Sequence, residues 1–96
     1  MDVLIANLAV AAPATPAEEV SDAEWEAVFG ALVHPLPRLV RAVLPQMMAR
    51  ASGKIIVIGS ASALRGMKRA STYSAARGAQ IAYVQALGVE VARHNI

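Results

Sequence analysis

Lys54-Ile55-Ile56-Val57-Ile58-Gly59-Ser60 (KIIVIGS) is the stretch on which the fold turns. Ile55 to Ile58 are consecutive β-branched residues, which favour extended backbone, and a run apolar at every position leaves neither side for water. Such a segment reads as a strand buried on both faces of a parallel sheet. Ser52 and Gly53 end the element before it. Asp2–Ala6 (DVLIA), near the start of the chain, is a second run of this kind and reads as the first strand.

The residues between the two runs predict a loop and then a helix. Ala11–Glu19 (AAPATPAEE) carries two prolines among small residues and reads as a loop. Ser21 with Glu24 three residues later predicts a capping box, the serine hydroxyl accepting from a backbone N–H and the glutamate reaching back. Trp25, Val28, Phe29, Leu32, Leu36, Leu39, Val40, Val43, Leu44 and Met47 then keep one apolar helical face. A single long helix is expected, kinked around His34–Pro37, because Pro35 and Pro37 lack the N–H of the helical ladder. Trp25, Phe29, Met47 and Met48 are expected in the core or an interface. Downstream, a polar loop from Ser60 to Thr72 leads into a helix from about Ser71 to His94, with Ile81, Val84, Leu87, Val89 and Val91 set among alanines.

The order strand, helix, strand, helix implies an α/β architecture with parallel strands joined by a right-handed crossover. A strand as apolar as IIVI needs cover on both faces and edges, which one other strand and two helices cannot supply. Residues 1–96 are therefore expected to form the β-α-β-α central portion of a larger doubly wound domain, or to need a partner to complete their core.

Composition narrows the function. The 96 residues are 56% hydrophobic with mean hydropathy +0.46, too apolar for disorder. Pro35, Pro37, Arg38, Arg41 and Pro45 break the apolar stretches, so no window offers the roughly 18 uninterrupted apolar residues of a membrane span. The first ten residues hold an acid and no basic segment, and the chain has no cysteine, so a soluble cytoplasmic protein is expected. The net charge of +2 arises from bases spread from Arg38 to Arg93. The one basic cluster, Arg65, Lys68 and Arg69, has no interleaved aromatics and reads as a solvated loop, so neither nucleic acid nor membrane is an expected partner. His34 and His94 have no second ligand nearby in sequence, and no metal is expected.

Ser60 follows the second strand at its carboxyl end, where open α/β sheets place their reacting groups. Ser62 is its rival. Tyr73 and Arg77 lie four apart, on one face of the final helix. Free tyrosine titrates near pH ~10, and a phenol that acts as a base at neutrality needs about 3 to 4 kcal/mol of preferential stabilisation of its anion. A permanent cation beside it, near a helix N-terminus, can supply that.

The run S-A-S-A-L-R-G-M-K-R-A-S-T-Y-S-A-A-R (residues 60–77) resembles the active-site segment of the short-chain dehydrogenase/reductase superfamily, whose serine precedes its tyrosine by about a dozen residues; here the spacing is thirteen. The dehydrogenases carry lysine four residues after the tyrosine. Arg77 in that place is similar to the halohydrin dehalogenases, as are H-P-L (34–36) and R-A-V-L-P-Q (41–46), which resemble the B-type enzymes. The likeness continues through D-V-L-I-A-N-L-A, W-E-A-V-F-G-A-L-V, G-K-I-I-V-I-G-S and E-V-A-R-H-N-I.

The resemblance implies a Rossmann-like sheet and a catalytic set of Ser60, Tyr73 and Arg77. Ser60 and Tyr73 would bind the hydroxyl of a vicinal haloalcohol, and Tyr73, its pKa lowered by Arg77, would remove the proton. The alkoxide would expel halide to give an epoxide, and the reverse would open epoxides with small anions. No cofactor is implied: Ala6-Asn7-Leu8-Ala9 stands where the redox enzymes have asparagine-asparagine-alanine-glycine, Leu32 takes the place of their relay asparagine, and arginine does not shuttle protons. The alternatives are an atypical NAD(P)-dependent dehydrogenase of the same superfamily, or a truncated, inactive fragment. Ser74, Ala75, Ala76, Gly78, Ala79 and Ala82 keep the last helix slim, and the resemblance implies a homotetramer or dimer through the long helices.

Overall fold

The computed structural model describes residues 2–96. The two apolar runs become β1 (Val3–Ala6) and β2 (Lys54–Val57), paired in parallel with Val3 opposite Lys54 and Ala6 opposite Val57. Lys54 N–H donates to Asp2 and Ile58 N–H to Ala6, both at 3.0 Å, so the ladder runs one residue past each end. Side chains alternate across a strand. Leu4, Ala6, Ile55 and Val57 therefore share the face against the helices, where Ala6 is buried.

The opposite face carries the shortfall of cover expected of these residues alone. Val3, Ile5, Ile56 and Ile58 share it and stay 43 to 61% exposed. The helices pack against the other side of the sheet, so nothing in residues 2–96 covers these four.

The long helix of the sequence reading is two helices, α1 (Asp22–Leu32) and α2 (Pro35–Arg50). The break falls at Val33–His34. Pro35 has no N–H for the turn behind it, and Leu36 N–H bonds the Val33 carbonyl at 3.0 Å, starting a new helix with proline in its first turn. Val33 and His34 both donate to the Phe29 carbonyl, at 2.8 and 2.9 Å, closing α1. Together residues 22–50 match a membrane helix in length and composition. The break divides them, however, and the stripe Val28, Leu32, Leu36, Val40, Val43 and Met47 is buried inside the protein, as in a core helix pair.

At the end of α2 the left-handed cap is Ala51 (φ 52°), not glycine. Gly53 serves another need. A Cβ there would sit 2.6 Å from Cγ and Sδ of the buried Met47, an overlap of the kind that costs about 1 to 3 kcal/mol. The last helix, α3 (Ser71–Val91), continues as a 3₁₀ turn over Ala92–His94. Asn95 Nδ2 donates to the Ala51 carbonyl at 3.1 Å, tying the ends of α2 and α3 together. Trp25 is 43% exposed and stacks on Phe29 with centroids 4.6 Å apart.

α3 crosses α1 where Ala76 meets Val28 and Leu32, and Leu8, Val10, Phe29 and Tyr73 pack around that cluster. The bare sheet face yields a prediction. The isolated 96-residue chain is expected to self-associate in size-exclusion chromatography and to lack a sharp thermal transition by circular dichroism; a cooperative melt of a monomer would overturn this.

Candidate active site

Ser60 lies three residues beyond β2, in extended conformation (φ −142°, ψ 144°). Its Oγ accepts from Ser62 N–H at 3.2 Å, opening a 3₁₀ turn over Ala61–Ala63. That bond uses one lone pair, leaving the hydroxyl hydrogen and the second lone pair for a ligand. Ser62 instead donates its hydroxyl to Met67 Sδ at 3.6 Å, so the rival serine turns to the loop.

Tyr73 occupies the first turn of α3, and Arg77 the next. The spacing of four brings them together as the sequence predicts. Arg77 Nε donates to Tyr73 Oη at 3.0 Å, and its guanidinium carbon lies 5.1 Å from the phenol ring centroid. Arg77 is only 7% exposed. Nη1 donates to the Ile58 carbonyl at 3.3 Å and to Gln80 Oε1 at 3.1 Å. One guanidinium thus joins the tyrosine to the strand exit two residues before Ser60.

Gln80 is a residue that the sequence reading passed over. It is 1% exposed, and its Nε2 donates to the Leu32 carbonyl at 2.7 Å. A usable signal existed: an amide three residues after Arg77 lies on the same stripe of the helix. Burial, and then Glu90, raise the phenol of Tyr83 above the usual tyrosine range, with Arg41 opposing.

Half of the expected capping box forms. Ser21 Oγ accepts from Glu24 N–H at 3.0 Å, but the Glu24 carboxylate does not reach back. It accepts from the Thr15 hydroxyl at 2.5 Å and the Thr72 hydroxyl at 2.9 Å. Thr15 N–H also donates to the carbonyl of Arg69 at 3.1 Å, where the chain turns at φ 60°. The loop after β1 is thereby fastened to the residue preceding Tyr73. Arg65, Lys68 and Arg69 are all exposed, as a solvated loop would be, and His34 caps α2 without a side-chain bond. Among the described residues, no group of three or more His, Asp or Glu could hold a metal.

The whole chain, residues 1–96, matches the short chain dehydrogenase family model, and the protein belongs to that family. Retinol dehydrogenase 8 of Bos taurus is 34% identical over 96 residues, all of this chain and 30% of that protein. A solved halohydrin dehalogenase, bound to ethyl (2S)-oxiran-2-ylacetate, is 34% identical with a TM-score of 0.93; the match covers 100% of this chain and 38% of that one. A Beutenbergia cavernae structure with bound NADP at low occupancy is 32% identical with a TM-score of 0.92, covering 99% and 38%. The chain thus spans about a third of the length of these relatives.

Two neighbouring hydroxyls should respond oppositely to removal. Thr72→Val takes a donor from the Glu24 carboxylate and is expected to cost about 1 to 2 kcal/mol in denaturant unfolding of the full-length protein. Ser74 Oγ is buried with no hydrogen-bond partner among the described residues, so Ser74→Ala should leave stability unchanged or raise it.

Proposed function

We propose that residues 1–96 form the catalytic centre of a halohydrin dehalogenase that works without nicotinamide, with Ser60, Tyr73 and Arg77 as its catalytic residues. The observation that carries this reading is the 3.0 Å bond from Arg77 Nε to Tyr73 Oη, made by an arginine where the dehydrogenases have lysine. A buried permanent cation can hold the charge that a departing proton leaves on a phenol, but it cannot pass a proton on.

The substrate is a vicinal haloalcohol. Ser60 donates to its hydroxyl oxygen, and Tyr73 Oη takes the hydroxyl proton. The alkoxide attacks the adjacent carbon, a C–O bond forms as the C–halogen bond breaks, and halide leaves with the bonding pair. An epoxide results, and the proton passes from Tyr73 to solvent. The reverse path opens an epoxide with a small anion. The likeness to a dehalogenase solved with an oxirane ligand supports this reading. The chain's one-third share of its relatives' length, with its bare sheet face, supports the view that these residues act within a longer polypeptide. Assembly as a homo-oligomer through α2 and α3 belongs to the same proposal.

Residues of this chain do not suit a bound nicotinamide nucleotide. Arg77 directs Nη1 to two protein acceptors. Leu32, at the relay asparagine's place, is 0% exposed and apolar. Leu8, where the redox enzymes have alanine, packs against the same core cluster as Tyr73. No step is therefore routed through a nicotinamide. A second reading, an NAD(P)-dependent dehydrogenase, is supported by the names of sequence relatives such as retinol dehydrogenase 8 and the 2,3-dihydro-2,3-dihydroxybenzoate dehydrogenase of Bacillus subtilis (strain 168), 37% identical over 79 residues.

One assay separates the two. The full-length protein, given a vicinal bromopropanol, should release bromide equally with and without NAD(P)H, and Tyr73→Phe should lower the rate at least about 100-fold, Ser60→Ala somewhat less. Carbonyl reduction strictly dependent on NAD(P)H, with no bromide release, would sink the dehalogenase assignment.

A further inference from the structure

The inner stripe of α3 holds a second buried polar group beyond Arg77. Gln80 is 1% exposed, and both ends of its amide are in use: Oε1 accepts from Arg77 Nη1 at 3.1 Å, and Nε2 donates to the Leu32 carbonyl at 2.7 Å. The Leu32 carbonyl is a fixed point, because it belongs to the last residue of α1, and the next N–H that could reach it within a helix, that of Leu36, bonds Val33 instead. An amide anchored to that carbonyl by its nitrogen has no freedom to turn over. Its oxygen must face Arg77.

We propose that Gln80 is a positioning residue for Arg77. It draws Nη1 inward so that Nε, on the other edge of the rigid guanidinium fork, is presented to Tyr73 Oη. Without it, Nη1 keeps only the longer bond to the Ile58 carbonyl, at 3.3 Å, and the guanidinium is free to roll away from the phenol. Gln80 touches no substrate; it acts on the base through the cation. The proposal rests on the dehalogenase reading of Tyr73 and Arg77, and its test is arranged so that the two can fail separately.

The full-length protein is assayed for bromide release from a vicinal bromopropanol. Gln80→Met keeps the volume and removes both polar ends; Gln80→Asn keeps an amide one methylene too short to span both partners. Each is made in the native background and with Arg77→Lys, which has no fork to orient. With Arg77 present, each is expected to lower kcat about tenfold and to leave KM within about twofold. In the Arg77→Lys background neither should lower kcat further, since the effect passes through the guanidinium. Melting temperatures, recorded in parallel, show which variants fold, and the shorter amide keeps the test open should Gln80→Met not fold.

A native kcat in either folded variant, or an equal loss in both backgrounds, overturns the proposal; the second pattern would make Gln80 a structural residue that only serves the Leu32 carbonyl. Tyr73→Phe is the separate control. If it releases bromide at the native rate, the reaction assignment falls. If it is inactive while the Gln80 variants are native, the positioning role alone falls.

Discussion

The Leu32 carbonyl ties the fold to the candidate site. Proline at 35 forces α1 to end and α2 to restart, and the restart draws the Leu36 N–H to Val33. What remains is a buried carbonyl with no helical donor, in a residue that is 0% exposed. Water cannot reach it, and an unmade bond there would cost about 1 to 3 kcal/mol. Gln80 supplies the bond from α3. From that contact a chain of hydrogen bonds runs outward through Arg77 to the oxygen of Tyr73. A break in one helix therefore sets the orientation of a phenol on another.

Packing and polarity divide the work along α3. Ala76, 0% exposed, lets the helix come close to Val28 and Leu32. Small residues allow that approach but fix rotation about the helix axis poorly, since one methyl packs much like another. Directional bonds supply what packing lacks: Thr72 to Glu24 and Gln80 to the Leu32 carbonyl hold α3 to the two ends of α1, and Arg77 holds it to the Ile58 carbonyl just past β2. Thr72, Arg77 and Gln80 are all buried, so these bonds lie where water competes little for them. Tyr73 thus sits on a helix whose depth is set by alanine and whose rotation is set by three polar side chains.

That division explains which features were legible in the sequence. The strands were, because KIIVIG and DVLIA are short apolar runs, the first β-branched at four successive positions, and so was the Tyr73–Arg77 pair, because residues four apart on a helix are neighbours. Their geometry is local. The helix break was blurred, since a proline in a helical pattern marks a kink or a fresh first turn equally well until the N–H of Leu36 is seen to change partners. Glu24 misled for a related reason. A capping glutamate and one that bonds two threonines look alike in sequence, and only the fold brings Thr72 within 2.9 Å of it. Gln80 stayed hidden because its partner is a backbone carbonyl 48 positions away, which no side-chain pattern records. The need for more cover on the strands could be read directly, but the side on which it is wanting could not, because that depends on the crossover helices and α3 packing on one face.

Membership of the short chain dehydrogenase family and the proposed loss of redox chemistry are compatible because they rest on different residues. The family match extends along the whole chain, and fold alone does not fix a reaction. The reaction is decided by few atoms. At position 77 a lysine would offer one mobile ammonium, able to serve a ligand and to exchange a proton. Arginine offers a rigid fork that stays charged, and here its donors engage Tyr73, Gln80 and the Ile58 carbonyl. A cation so held can act on the phenol and on little else. On the proposed reading, the chemistry left to such a pair is removal of one proton from a bound hydroxyl, and an alkoxide with a leaving group on the next carbon needs no more than that to close its ring.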